Sequence, residues 1–134
     1  MIAGIDHVLV AAPPGCEAEA RRFYGELLGL GEIPKPESLQ RDGVWFACGA
    51  QQLHVGAYAD FAPAPKAHPA FSLGDEPALR ALAARLEDAG AEVRWDDRLA
   101  GIPRFYTDDP WGNRLELLAG SAAAPREDGE RAER

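Results

Sequence analysis

Apolar residues along this chain follow two spacings in alternation, and the whole alternation occurs twice. GIDHVLVAA (residues 4 to 12) is rich in β-branched residues and is stopped by Pro13, Pro14 and Gly15, which predicts a strand. EAEARRFYGELLGLG (17 to 31) then sets Ala20, Phe23, Tyr24 and Leu27 at the i, i+3, i+4, i+7 spacing of one buried helical stripe, with Gly29 and Gly31 suited to its end. A short strand is expected near 31 to 35. GVWFACG (43 to 49) and QQLHVGAY (51 to 58) read as two strands joined by a tight turn around Gly49 and Ala50. ADFAPAPKA (59 to 67), with two prolines among small residues, reads as an irregular connector.

Beyond the connector the same order returns. HPAFSL (68 to 73) reads as a strand, and EPALRALAARLEDAG (76 to 90) as a helix with Leu79, Leu82, Ala83 and Leu86 on one face and Gly90 just past its end. AEVRW (91 to 95), IPRFYTDD (102 to 109) and GNRLELL (112 to 118) follow as strands. The fold class is therefore α+β, with strand, helix, strand, strand, strand written twice, in modules of about 3 to 58 and 67 to 118. Trp45-Phe46 and Phe105-Tyr106 match at an offset of 60, and Gly29 and Gly90 at 61. Residues 119 to 134 are small, polar and charged without periodicity, and are expected to form a disordered tail.

At 134 residues the chain is one domain, long enough for a core without staples. Its formal charge of -8 disfavours nucleic acid and anionic membranes as partners and leaves small neutral or cationic molecules. Two cysteines, Cys16 and Cys48, make no disulfide framework and fit a reducing cytoplasm. No basic leader precedes the first strand, and no apolar run approaches the ~20 residues that a spanning helix needs.

Three histidines occur, and the duplication organises them. His7 and His68 lie 61 residues apart, at the first strand of each half; His54 and Glu116 lie 62 apart, in each last strand. Side chains alternate across a strand, so His54 opposes Leu53 and Val55, Glu116 opposes Leu115 and Leu117, and His68 opposes Phe71 and Leu73. Each sheet then has one apolar face and one polar or small face suited to a wet cavity. Only His7, with apolar residues at both parities around it, stays open. Imidazole nitrogens and a carboxylate are the donors that Zn, Fe, Mn and Ni accept in catalytic sites. On the purely structural alternative, Glu116 and Arg114 are partners on a solvated strand face, His68 opens a strand before Pro69, and His7 is a satisfied core residue.

GIDHVLVAA, EAEARRFYGELLGL, QQLHVG, AHPAFSL and YTDDPWGNRLELL together resemble the vicinal oxygen chelate superfamily, which includes glyoxalase I, extradiol dioxygenases, fosfomycin-modifying transferases and bleomycin resistance proteins. The resemblance implies two tandem βαβββ modules curled into an incompletely closed barrel around a cup, often completed across a homodimer. It implies a divalent metal held by His7, His54, His68 and Glu116, with Glu116 and His54 also moving protons, and a small oxygenated substrate chelated through adjacent oxygens by a lyase, isomerase or dioxygenase. Phe46, Arg104 and Tyr106 are the expected substrate-binding walls. Glyoxalase I commonly carries a carboxylate where His54 stands, which argues against that reaction here. The alternative within the family is a metal-free, drug-sequestering protein of the bleomycin resistance kind.

Overall fold

The computed structural model describes residues 1 to 39 and 42 to 121. The first module runs β1 (His7–Ala12), α1 (Glu17–Ala20) continuing into a π-helical turn (Arg21–Leu27), β2 (Gly31–Ile33), β3 (Val44–Cys48) and β4 (Gln51–Ala57). The second runs β5 (Ala70–Leu73), α2 (Glu76–Asp88), β6 (Arg94–Asp96), β7 (Arg104–Asp108) and β8 (Arg114–Ala119). Each makes a four-stranded mixed sheet of one topology, β1-β4-β3-β2 and β5-β8-β7-β6, with its first strand parallel to its last. Neither sheet closes, so the duplicated α+β order stands and there is no closed barrel.

Local chemistry explains most boundaries. The Asp75 side chain accepts the Ala78 N–H (2.8 Å) at the start of α2, a proline sits in the first turn, and Gly90 beyond its end takes φ +89. Leu79, Leu82, Ala83 and Leu86 are buried, as their spacing requires. The first helix departs from regular periodicity: Leu28 N–H reaches the Phe23 carbonyl (2.9 Å), one residue further back than in an α-helix. Both Phe23 and Tyr24 are buried there.

Cross-strand register assigns the faces. Val44 opposes Val55 and Phe46 opposes Leu53, and these side chains join Val10, Ala12, Phe23 and Tyr24 in the core. In the second sheet Phe105, Leu115 and Leu117 turn toward Leu79 and Leu86 of the same core. The modules are clasped by the segment from Asp109 to Asn113. Asp109, 5% exposed, accepts from the Tyr24 hydroxyl (2.7 Å), the backbone N–H of Trp111 and Asn113, and the Asn113 amide, which also donates to the Ala11 carbonyl (2.8 Å). Burial and the Asp109 charge push the Tyr24 hydroxyl well above the usual phenol range, so it stays a donor.

The expected tail begins too early. Ala119 ends β8, its N–H donating to the Pro103 carbonyl (2.9 Å), and Gly120 N–H reaches Leu73 (3.0 Å), because the second sheet has carbonyls to satisfy there. Residues 122 to 134 lie outside the described residues. Among those described, no helix is long and apolar enough to cross a membrane.

Candidate functional site

On the first sheet the face away from the core carries His7, Leu9, Trp45, Gln52 and His54. Gln52 is the register partner of His7, so parity places His7 on the same face as His54. The His54 ring is sandwiched: Trp45, directly opposite it, stacks at 3.8 Å between centroids and His7 at 4.2 Å. His54 is buried, and its Nε2 lies 2.8 Å from Gln52 Oε1. Burial first, then the neighbouring His7, lower its pKa, which favours the neutral imidazole. The His7 Nδ1 lies 2.8 Å from Asp6 Oδ1, an arrangement in which Nδ1–H donates and the lone pair of a neutral ring sits on Nε2.

The equivalent face of the second sheet is ionic. Glu116, 8% exposed, holds His68 Nε2 on one oxygen and Arg104 Nη1 on the other, each at 3.1 Å. Arg104 reaches on to Asp96 (3.1 Å), whose carboxyl Arg98, then Arg104, holds well below the usual carboxylate range. Tyr106 lies directly across from Glu116, edge-on to His68 (5.6 Å), with the Arg104 and Arg114 guanidinium carbons 5.4 and 5.7 Å from its ring centre. Arg94 grips both oxygens of Asp108 at 3.0 Å. A groove of about 680 Å³ borders Arg104 and Asp96 along α2, but neither His68 nor Glu116 lines it.

His68 carries the most informative detail. Its Nδ1 is 2.7 Å from the Lys66 carbonyl, which can only accept, so the proton resides on Nδ1. Its Nε2 lies 3.1 Å from a Glu116 oxygen, an ion-pair contact if the ring also carries a proton there and a spacing that a shared metal ion would equally allow. The donor types suit Zn, Fe, Mn or Ni.

The structure thus brings the four expected donors together as two pairs, His7 with His54 and His68 with Glu116. Among the described residues no three His, Cys, Asp or Glu side chains gather closely enough to hold an ion. Arg104 and Tyr106 do lie on the Glu116 face. Phe46 does not share the His54 face: it is fully buried against Tyr24, and Trp45 takes the position facing outward. The reason is register. Tyr106 opposes Glu116 as Trp45 opposes His54, so the true offset is 61 rather than 60, and one residue of slip reverses a strand's faces. Counting outward from the two-residue turn between Cys48 and Gln51 points to Trp45. Glu116 is partnered by Arg104 across the sheet rather than by Arg114, its neighbour in sequence.

The sequence profile of the glyoxalase/bleomycin resistance protein/dioxygenase superfamily matches residues 4–117. The chain belongs to this superfamily. Among solved structures it is similar to a glyoxalase family protein from Bacillus anthracis (48% identity, TM-score 0.83, covering 90% of this chain and 98% of that one). It is also similar to lactoylglutathione lyase from Agrobacterium tumefaciens (25% identity, TM-score 0.70, covering 89% and 95%). The fosfomycin resistance protein FosX from Listeria monocytogenes shares the fold (19% identity, TM-score 0.72, covering 90% and 96%). No curated protein matches the chain. The fold is thus shared with proteins of different roles, among them a lyase and a fosfomycin resistance protein.

Proposed function

We propose that this protein is a metal-dependent enzyme acting on a small oxygenated substrate, with its site assembled between two copies of the chain. The observation that supports this best is the His68–Glu116 contact, in which an imidazole nitrogen and a buried carboxylate oxygen lie 3.1 Å apart, a spacing that a metal ion could bridge. Each sheet supplies two donors of a four-donor set, so a complete set needs the His7 and His54 face of one copy beside the His68 and Glu116 face of another. The outer edge of β1 supports this pairing: it is unpaired in the sheet, and Ile5, Val8 and Leu9 stand 69%, 38% and 57% exposed along it.

Bound there, a divalent ion would polarise adjacent substrate oxygens and stabilise negative charge developing on them. The chain's own contributions are distinct from that. Arg104 occupies one Glu116 oxygen and leaves the other for ligation or proton transfer. His54, neutral and clamped between two rings, can accept a proton without reorienting. Tyr106, braced by His68 and Arg104, forms a wall beside Glu116. Both cysteines are free thiols, in keeping with a cytoplasmic enzyme.

Protein purified without an affinity tag is expected to retain about one transition-metal equivalent per chain. Less than about a tenth of an equivalent, with no uptake on reconstitution, removes the metal chemistry. Subunit mixing tests the shared site. Homodimers of His54→Ala and of Glu116→Ala each lose metal, whereas mixing the two regenerates one intact site per mixed dimer. No recovery on mixing would place the donors within one chain or nowhere. A metal-free binding protein is the second reading, favoured by Arg104, which already neutralises Glu116 without an ion.

A further inference from the structure

The seam between the modules holds a recess that the chemistry above does not use. A cleft of about 600 Å³ runs along it, with Phe23 and Leu27 of the first helix on one wall and Ala89 and Ala91, beyond the end of α2, on the other. That volume suits a small organic molecule. None of the proposed metal donors lines it, nor do Arg104 and Tyr106. Two bonds across the seam fix its width: Arg85 donates to the Glu26 carbonyl (2.7 Å), and Tyr24, next to Phe23, donates to Asp109. The rim is acidic, and its carboxylates fall into two groups. Glu19 is bonded to Arg22, Asp108 is held on both oxygens by Arg94, and Asp109 is occupied by Tyr24, Asn113 and backbone N–H groups. Among the described residues the Glu26 carboxylate makes no ion pair, and Glu92 reaches only Arg94, at 3.7 Å, which already serves Asp108. Two negative charges thus stand beside an apolar slot with no cation of their own.

We infer that this cleft binds an organic cation, with an amine at Glu26 and Glu92 and an aromatic or short alkyl body in the slot between Phe23, Leu27 and Ala91. The walls hold the body by removing it from water, and the two carboxylates select the sign of the head group. An anion of the same shape meets those charges and is repelled. A polyamine without an apolar body gains only the exposed attraction, which salt screens. A ligand seated here touches both modules, so its binding raises the stability of the whole fold. The site stands apart from the metal reading, because the residues that form it include no proposed donor.

Phenylbutylamine, phenylbutanol and phenylbutyrate make the test, because they share an apolar body and differ in the charge of the head group. Their binding to the full chain is measured by calorimetry, and amide shifts in NMR locate it. Three proteins are compared: wild type, the double variant Glu26→Gln with Glu92→Gln, and a control, Glu37→Gln with Asp60→Asn, which removes the same charge at exposed positions outside the cleft. Thermal melts confirm that each folds. Wild type is expected to bind one amine per chain, about fivefold or more tightly than the alcohol, with phenylbutyrate weakest. The shifts gather at Phe23, Leu27 and Ala91, and the melting temperature rises at saturation. The cleft variant brings the ratio of amine to alcohol near one, whereas the control keeps it. The site is overturned by an absence of amine binding, by equal affinity for amine and alcohol in wild type, by a preference that the cleft variant keeps or the control loses, or by shifts that gather on the faces of His54 and Glu116.

Discussion

The two sheets share one topology and hold their donors at equivalent places, yet they prepare those donors by opposite means. In the first, His54 is fixed by rings above and below and is kept neutral by burial. In the second, Glu116 is fixed by the Arg104 charge on one oxygen and by the His68 ring on the other. The difference traces to a few matched positions: Trp45 against Tyr106, Gln52 against Arg114, and Gly43 against Arg104. Where the second sheet places a guanidinium, the first has no side chain at all. Gly43 takes φ +87, and a Cβ there would sit 2.2 Å from the Val55 carbonyl oxygen. Its N–H donates to Glu17 on the first helix (2.7 Å). Duplication kept the scaffold and the donor positions, while the surroundings diverged into a stacked half and an ionic half.

The largest test of that contrast is steric. Gly43→Ala must displace a backbone oxygen in a conformation that side chains rarely adopt, and should cost more than about 2 kcal/mol, lowering the melting temperature by roughly 8 °C or more. Arg104→Ala, at the matching position, meets no such obstacle and should melt closer to wild type. Equal losses would show that the two positions are not structural counterparts.

Next comes the clasp between halves. Tyr24→Phe removes a buried hydrogen bond to a carboxylate, for an expected loss of about 1.5 to 3 kcal/mol in urea unfolding. Unfolding should remain a single transition, because both sheets share one core. Trp45→Ala, smaller in effect, should cost about 1 to 2 kcal/mol through lost ring contact. It should also loosen His54, visible as faster exchange of its ring signals in NMR, and leave the His68 signals in place.

The smallest effect is pH dependence, and it separates the halves cleanly. The folded-state pKa of His54 lies below its ordinary 6.5, so the unfolded chain binds the proton more readily. This part of the stability is fully present above the unfolded value and is lost as the pH falls from about 6.5 toward the folded value. In metal-free protein, the urea midpoint should drop between pH 7.5 and pH 5.5 by more in wild type than in His54→Gln. An identical drop in both would assign the acid sensitivity elsewhere.

Much of this arrangement was legible in the sequence because it follows from period and parity. The helical stripe of α2, the alternation in GNRLELL and the return of one element order at a near-constant offset give two equivalent sheets with one apolar face each. What escaped depends on distances set in three dimensions. The offset of 60 suggested by paired aromatics sent Phe46 outward, although the tight turn at Gly49 already implied Trp45. That Arg104 rather than Arg114 would partner Glu116 is a matter of cross-strand register, which neighbouring positions in sequence do not reveal. Nor could sequence spacing tell that the donors would meet only in pairs, since that depends on how the modules lean on each other through their helices and the Asp109 turn.

That turn and the Tyr24 helix both belong to the stretches that carry the family resemblance, and they are bonded to one another. Their kinship is that of a hinge pin and its socket: each makes sense only with the other, and neither belongs to the faces that carry His54 and Glu116. An engineer could therefore rewrite the outward faces of both sheets, exchanging one set of side chains for another, while the fastening beneath them remains undisturbed.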